Sequence, residues 1–124
     1  GDEPLTSAQL IPDARAIIVT TPQEVALADI RKSISFCKNM KLNIFGIIEN
    51  MSGFTCPHCG KAVDLFGTGG GEKTATAYGI NFLGRIPFDL DMVNCGDEGV
   101  TFQHKFKESA ITDTFKIIAE KMRP

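Results

Sequence analysis

An α/β domain, a parallel sheet with flanking helices, is the fold class that this 124-residue chain predicts. Two observations carry it. Three short segments, 16–20, 43–48 and 81–86, read as buried strands, the first of them a continuous apolar run of the kind that marks a strand buried on both faces. Between and after them, apolar residues recur at helical spacing, as crossover connections between parallel strands require.

The elements follow in order. Gly1-Asp2-Glu3-Pro4 reads as the tail of a loop, and with no initiator methionine the chain is expected to be a fragment or a processed product. Ala16-Ile17-Ile18-Val19-Thr20 is the first strand. Thr21-Pro22-Gln23-Glu24 then predicts a helix start: Thr21 as cap, Pro22 at the first helical position, and Glu24 where a capping box places its carboxylate. Leu27, Ile30, Ile34 and Cys37 line the inner face of that helix, which makes Cys37 a core residue, and the helix fades near Asn39. The second strand, 43–48, ends at Glu49-Asn50-Met51 and leads into a loop over 52–71. A helix over about 72–78 stops at Gly79. The third strand, 81–86, is ended by Pro87, and a short helix begins at Asp89. Residues 96–105 read as a loop, and Ile111, Phe115, Ile118 and Met122 mark the inner stripe of a closing helix. Three strands alone leave long unpaired edges, so further strands are expected before Gly1.

Composition narrows the function. With 43% hydrophobic and 23% charged residues the chain is an ordinary globular domain, 1–124, able to bury roughly 65% of its unfolded surface. A net charge of −2 without a basic cluster argues against nucleic acid and against an anionic membrane surface as partners. No apolar run approaches the roughly 20 residues of a membrane span, and no signal peptide opens the chain. Four cysteines, two in helix-like stretches, do not form a disulfide framework; a reducing, cytoplasmic setting fits them.

The strongest chemical signal is Cys56-Pro57-His58-Cys59-Gly60 within the 52–71 loop. Thiolates two residues apart can face one ion, and the glycine lets the turn aim amides at sulfur. Zinc or an iron–sulfur cluster takes about four protein ligands, and this chain offers two. Cys37 and Cys95 stand alone in helical segments, so the simplest completion is a second copy across a two-fold axis. His58 is a candidate third ligand, but its place between two ligating cysteines favours an outward side chain. Other readings stay open at this point: a redox pair, which would need a helix opening after Cys59 that Gly60–Gly67 does not supply; a structural zinc clip; and chance spacing.

Ligands of open parallel sheets sit at the C-terminal ends of strands. Asn50 follows the second strand, and its amide can donate to and accept from adenine as a pair. The competing reading is a turn residue bonded to its own backbone. Pro87-Phe88-Asp89 follows the third strand, where proline packs on a base. Gly67-Thr68-Gly69-Gly70-Gly71-Glu72-Lys73-Thr74 nearly spells a phosphate-binding P-loop, but Glu72 stands at the second glycine and no strand precedes it. It reads as a flexible glycine hinge supporting the metal loop.

Taken together, residues 17–29, Gly-Ile-Ile-Glu-Asn-Met-Ser (46–52), Cys-Pro-His-Cys-Gly (56–60), Phe-Gly-Thr-Gly-Gly-Gly (66–71), Phe-Leu-Gly-Arg-Ile-Pro-Phe-Asp (82–89) and Gly-Asp-Glu-Gly (96–99) resemble the Mrp/ApbC iron–sulfur carrier ATPases, relatives of MinD in the deviant-Walker P-loop class. The resemblance covers about residues 1–100; the last 25 carry no signature of it. It implies that the fold is the C-terminal part of a MinD-like P-loop NTPase. It also implies a homodimer with a bridging [4Fe–4S] cluster, passed to apo iron–sulfur proteins, and ATP with magnesium in the full-length parent. Cys56 and Cys59 match the cluster cysteines, Asn50 the adenine position, and Pro87 and Asp89 the segment lining the base. The family's Walker A loop and its hydrolytic aspartate motif have no counterpart here, so this chain alone is not expected to hydrolyse ATP. The alternative function is a non-catalytic dimerisation module sharing a structural zinc.

Overall fold

The computed structural model describes residues 2–123. Its elements run α1 (Glu3–Leu10), β1 (Arg15–Thr20), α2 (Glu24–Asn39), β2 (Asn43–Thr55), β3 (Ala62–Val63), α3 (Gly70–Tyr78), β4 (Phe82–Phe88), α4 (Leu90–Glu98), α5 (Phe102–Lys105) and α6 (Ala110–Lys121). Strand β2 is central: β1 and β4 pair with it in parallel, Ile18 opposite Ile47 on one side and Asn50 opposite Ile86 on the other. Its far end turns back to pair antiparallel with β3.

Both faces of β2 are covered, which is why Gly46, Ile47, Ile48 and Glu49 are buried in succession. On one face Ile18, Leu27, Ile30, Ile34, Ile47 and Ala75 join β1 and β2 to α2 and α3. On the other, Ile48, Leu83, Ile86 and Ile118 pack against Phe45, Met92, Phe115 and Met122 from β2, α4 and α6. Each fully buried Leu or Ile contributes about 1.5–3 kcal/mol of transfer free energy. The predicted stripe of α2 therefore faces the sheet, and that of α6 does so through Phe115, Ile118 and Met122, while Ile111 packs against Cys95 and Phe102. Among the described residues no helix is long and apolar enough to cross a membrane.

Several boundaries differ from the sequence reading. Gly1 lies outside the described residues, but Glu3 and Pro4 open a helix rather than end a loop, with Pro4 in its first turn. No residue of α1 is buried, so it lacks the apolar stripe that announces a helix. Strand β1 is covered on one face only: Ile17 and Val19 are 41% and 59% exposed. Helix α2 begins at Glu24 with Gln23 as its cap, and the Thr21 hydroxyl bonds the Gln23 side chain instead of a backbone N–H. The expected capping box is therefore absent. Pro87 lies inside β4, whose only partner among the described residues is β2, so its missing N–H costs no rung on the open side. The stretch 96–105 is largely helical, as the end of α4 and all of α5, with Phe102 buried beside Cys95 and Ile111.

Candidate functional site

Beyond the sheet, β2 continues past its expected end and carries the cysteine motif outward. Met51 and Gly53 adopt positive φ, 54° and 93°, in the irregular stretch between the Asn50 and Phe54 pairings with β4, beyond the end of the β1 pairing. Phe54 then pairs with Val63 and Thr55 with Ala62, a short hairpin that the sequence reading took for loop. The Phe54 ring meets Phe88 edge-on at 5.8 Å, which pins the hairpin to the end of β4.

Cys56 to Gly60 form the hairpin tip. The Cys56 N–H donates to the Lys61 carbonyl at 2.9 Å, and the Gly60 N–H donates back to the Cys56 carbonyl at 2.9 Å. Gly60 has φ 72°, the left-handed conformation that closes the turn. The backbone N–H groups of Cys59 and His58, then the Cys59 thiol, favour the Cys56 thiolate and hold its pKa below the ordinary thiol value. Cys56 is half-buried, while Cys59 and His58 are exposed. Among the described residues no group of three or more His, Cys, Asp or Glu side chains is placed to hold a metal. The tip thus presents two sulfurs to solvent, one of them predisposed to ionise. Cys37 and Cys95 are buried in α2 and α4 with their thiols free, and burial pushes the Cys37 thiol upward.

Asn50 is half-buried at the C-terminal end of the parallel part of β2, its Cα partner Ile86 next to Pro87 on β4. The bonding of the Asn50 side chain to its own backbone is not seen among the described residues. Asp89 caps α4, its carboxylate accepting from the Met92 N–H at 3.1 Å. Asn50, Pro87 and Asp89 are thus brought to one end of two adjacent strands.

Glu49 is the residue that sequence reasoning passed over. It is completely buried. Its carboxylate accepts from the Ser52 hydroxyl at 2.5 Å, the Gly71 N–H at 2.8 Å, the Gly69 N–H at 3.3 Å and Arg85 Nε at 3.3 Å. Arg85 also pairs with Glu72 in the first turn of α3. Burial pushes the Glu49 carboxyl upward, but these donors outweigh it, so its pKa lies below the usual carboxylate value. The glycine-rich stretch is consequently no hinge: Gly69 caps α3, Gly70 and Gly71 form its first turn, and Glu49 satisfies two of the helix's free amides. A phosphate would have to displace that carboxylate. The signal was available in a charged residue that directly follows an apolar strand, with a serine three residues on.

Comparison with known proteins places this arrangement. A family model described as ParA, NUBPL iron-transfer P-loop NTPase, matches residues 1–123. The chain is 56% identical over 101 residues to an iron–sulfur cluster carrier protein of Methanocaldococcus jannaschii, covering 81% of this chain and 35% of that protein. It is 54% identical over 101 residues to the cytosolic Fe-S cluster assembly factor CFD1 of Kluyveromyces lactis, covering 82% and 34%. A solved nucleotide-binding protein from Archaeoglobus fulgidus, in complex with ADP and with cobalt, superposes with a TM-score of 0.67 at 41% identity, covering 80% of this chain and 41% of that one. The chain thus spans about a third to two fifths of the length of these proteins. It belongs to the NUBPL iron-transfer family of ParA-type P-loop NTPases.

Proposed function

We propose that this chain is the metal-loop part of an iron–sulfur cluster carrier, in which Cys56 and Cys59 bind half of the ligand shell of a [4Fe–4S] cluster and a second copy supplies the other half. The observation that carries the reading is the hairpin tip itself: two sulfurs, no third ligand among the described residues, and amides that favour the Cys56 thiolate. A shell shared between subunits leaves its cargo exposed and able to move to an apo iron–sulfur protein when the interface opens. Four ligands on one chain would hold it more permanently. The names of the relatives support the carrier role.

In the longer protein the nucleotide reading assigns Asn50 to the adenine edge, with Pro87 and Asp89 lining the base. ATP with magnesium would be bound there chiefly by residues outside this chain. The amides of Gly69 and Gly71 are already bonded to Glu49, so hydrolysis is not assigned to the glycine-rich stretch.

The test is anaerobic reconstitution with iron and sulfide, followed by metal analysis. Iron and sulfide in equal amounts, lost on Cys56→Ser or Cys59→Ser, is the expected result. Stoichiometric zinc that resists exchange would replace this reading with the structural zinc module, which the same two-cysteine turn also suits.

A further inference from the structure

We propose that Glu49 is the positioning residue of the two-cysteine loop, a buried carboxylate that fastens the loop's two ends to each other and to β4. The proposal rests on the carrier reading above and names what holds that site in place.

Strand β2 parts from β1 after Glu49, keeps its pairing with β4 at Asn50 and Phe54, and the chain returns to the sheet through α3, which Gly69 caps. The cysteine tip between them is held by the β3 hairpin, by the Phe54–Phe88 contact and by whatever joins the ends. Closing a loop of this length is entropically unfavourable, so the joint must be strong to keep the tip in one place. The four donors to Glu49 come from separate places: Ser52 on the outgoing arm, Gly69 and Gly71 on the returning arm, and Arg85 on β4. Arg85 then ties Glu72, and so α3, to the same point. Bonds from a carboxylate to N–H groups and to a guanidinium are among the stronger hydrogen bonds.

The packing is shaped for this carboxylate. A Cβ on Gly71 would come within 3.2 Å of both Glu49 Cβ and Oε1 and would push the carboxylate back by a few tenths of an ångström, so glycine there suits the close approach of the returning arm. A side chain that merely capped α3 would not need donors on the outgoing arm and on β4 as well.

The experiment uses the full chain in its apo form, with cobalt(II) alone as the metal probe. Thiolate–cobalt absorption reports binding, and hydrogen exchange at the Gly69 and Gly71 amides reports the clamp. Glu49→Gln keeps the shape and removes the charge; the expected result is a fall in cobalt affinity of about 10- to 100-fold, the range seen when groups that orient ligands are lost. Faster exchange at both glycine amides should accompany it. Should that variant fail to fold, Ser52→Ala removes a single donor and should shift both readouts the same way by a smaller factor. Folded variants whose glycine amides exchange at the wild-type rate, or whose cobalt affinity stays within about two-fold of wild type, would overturn the proposal. Cobalt binding that survives Cys56→Ser would sink the carrier reading instead; the exchange rates judge the clamp without any metal.

Discussion

Two polar clusters lie along β2, and they differ in one respect that matters. The Glu49 carboxylate is wholly buried and fully served, with four donors from its own chain. The Cys56–Cys59 pair sits at an exposed tip with the Cys56 thiolate favoured, and no third His, Cys, Asp or Glu is grouped with it among the described residues. Chemistry that is saturated within the fold holds structure; chemistry left unsaturated at the surface waits for something from outside. The contrast separates an anchor from a site without appeal to resemblance.

The sharpest way to break the comparison is at the cysteines. Replacing Cys56 or Cys59 by serine should abolish metal content after reconstitution, whereas Cys37→Ser and Cys95→Ser should retain it; metal analysis of the four variants decides. Retention by Cys59→Ser would place the ligands elsewhere.

At the anchor the expected effect is on stability. Glu49→Gln removes charge-assisted bonds and leaves donors unpaired in a buried site, at a cost on the order of 2–4 kcal/mol in chemical denaturation. The pH dependence has a definite sign. Because the folded pKa is depressed, the stabilisation is present above the unfolded carboxylate value of about 4.3 and is lost as pH falls through the folded value. Wild type should lose more stability than Glu49→Gln in that acid window. Equal acid sensitivity would mean the carboxylate is not held as described.

A smaller effect sharpens the role of the glycines. A Cβ at Gly70 would approach Leu27 Cδ1 to 2.8 Å and the Pro22 carbonyl to 3.0 Å, so Gly70→Ala should destabilise by about 1–3 kcal/mol despite alanine's better helix propensity. Gly96, inside α4 with nothing near its Cβ position, should respond oppositely, Gly96→Ala stabilising by about 0.5–1 kcal/mol. Thermal melts of both variants check the contrast. Smallest of all is the shift in thiol reactivity: the pH midpoint for alkylation of Cys56 should be lower in the folded protein than in the urea-unfolded chain.

These regions were unequally legible in the sequence. Strand β2 showed itself because burial on both faces demands a continuous apolar run, β1 because it carries such a run although one face is open, and α2 and α6 because apolar stripes line one side of each. Helix α1 buries nothing and so left no periodic trace. The β3 hairpin has two rungs, too few for a pattern, and it depends on the positive φ of Met51 and Gly53. Thr21 looked like a cap because composition favours it, but its hydroxyl found Gln23 instead. The cysteine pair was visible because ligand spacing is local. The clamp was not: its donors lie 3, 20, 22 and 36 residues from Glu49, and only the fold brings them together.

The central claim is that the exposed sulfur pair is completed by a second chain, and mass with metal content measured on one sample tests it most directly. Sedimentation of the reconstituted protein should give twice the 13.5 kDa chain mass, with one cluster for every two chains and dissociation when the cluster is removed. A species of single-chain mass that carries its own full metal complement would contradict the account.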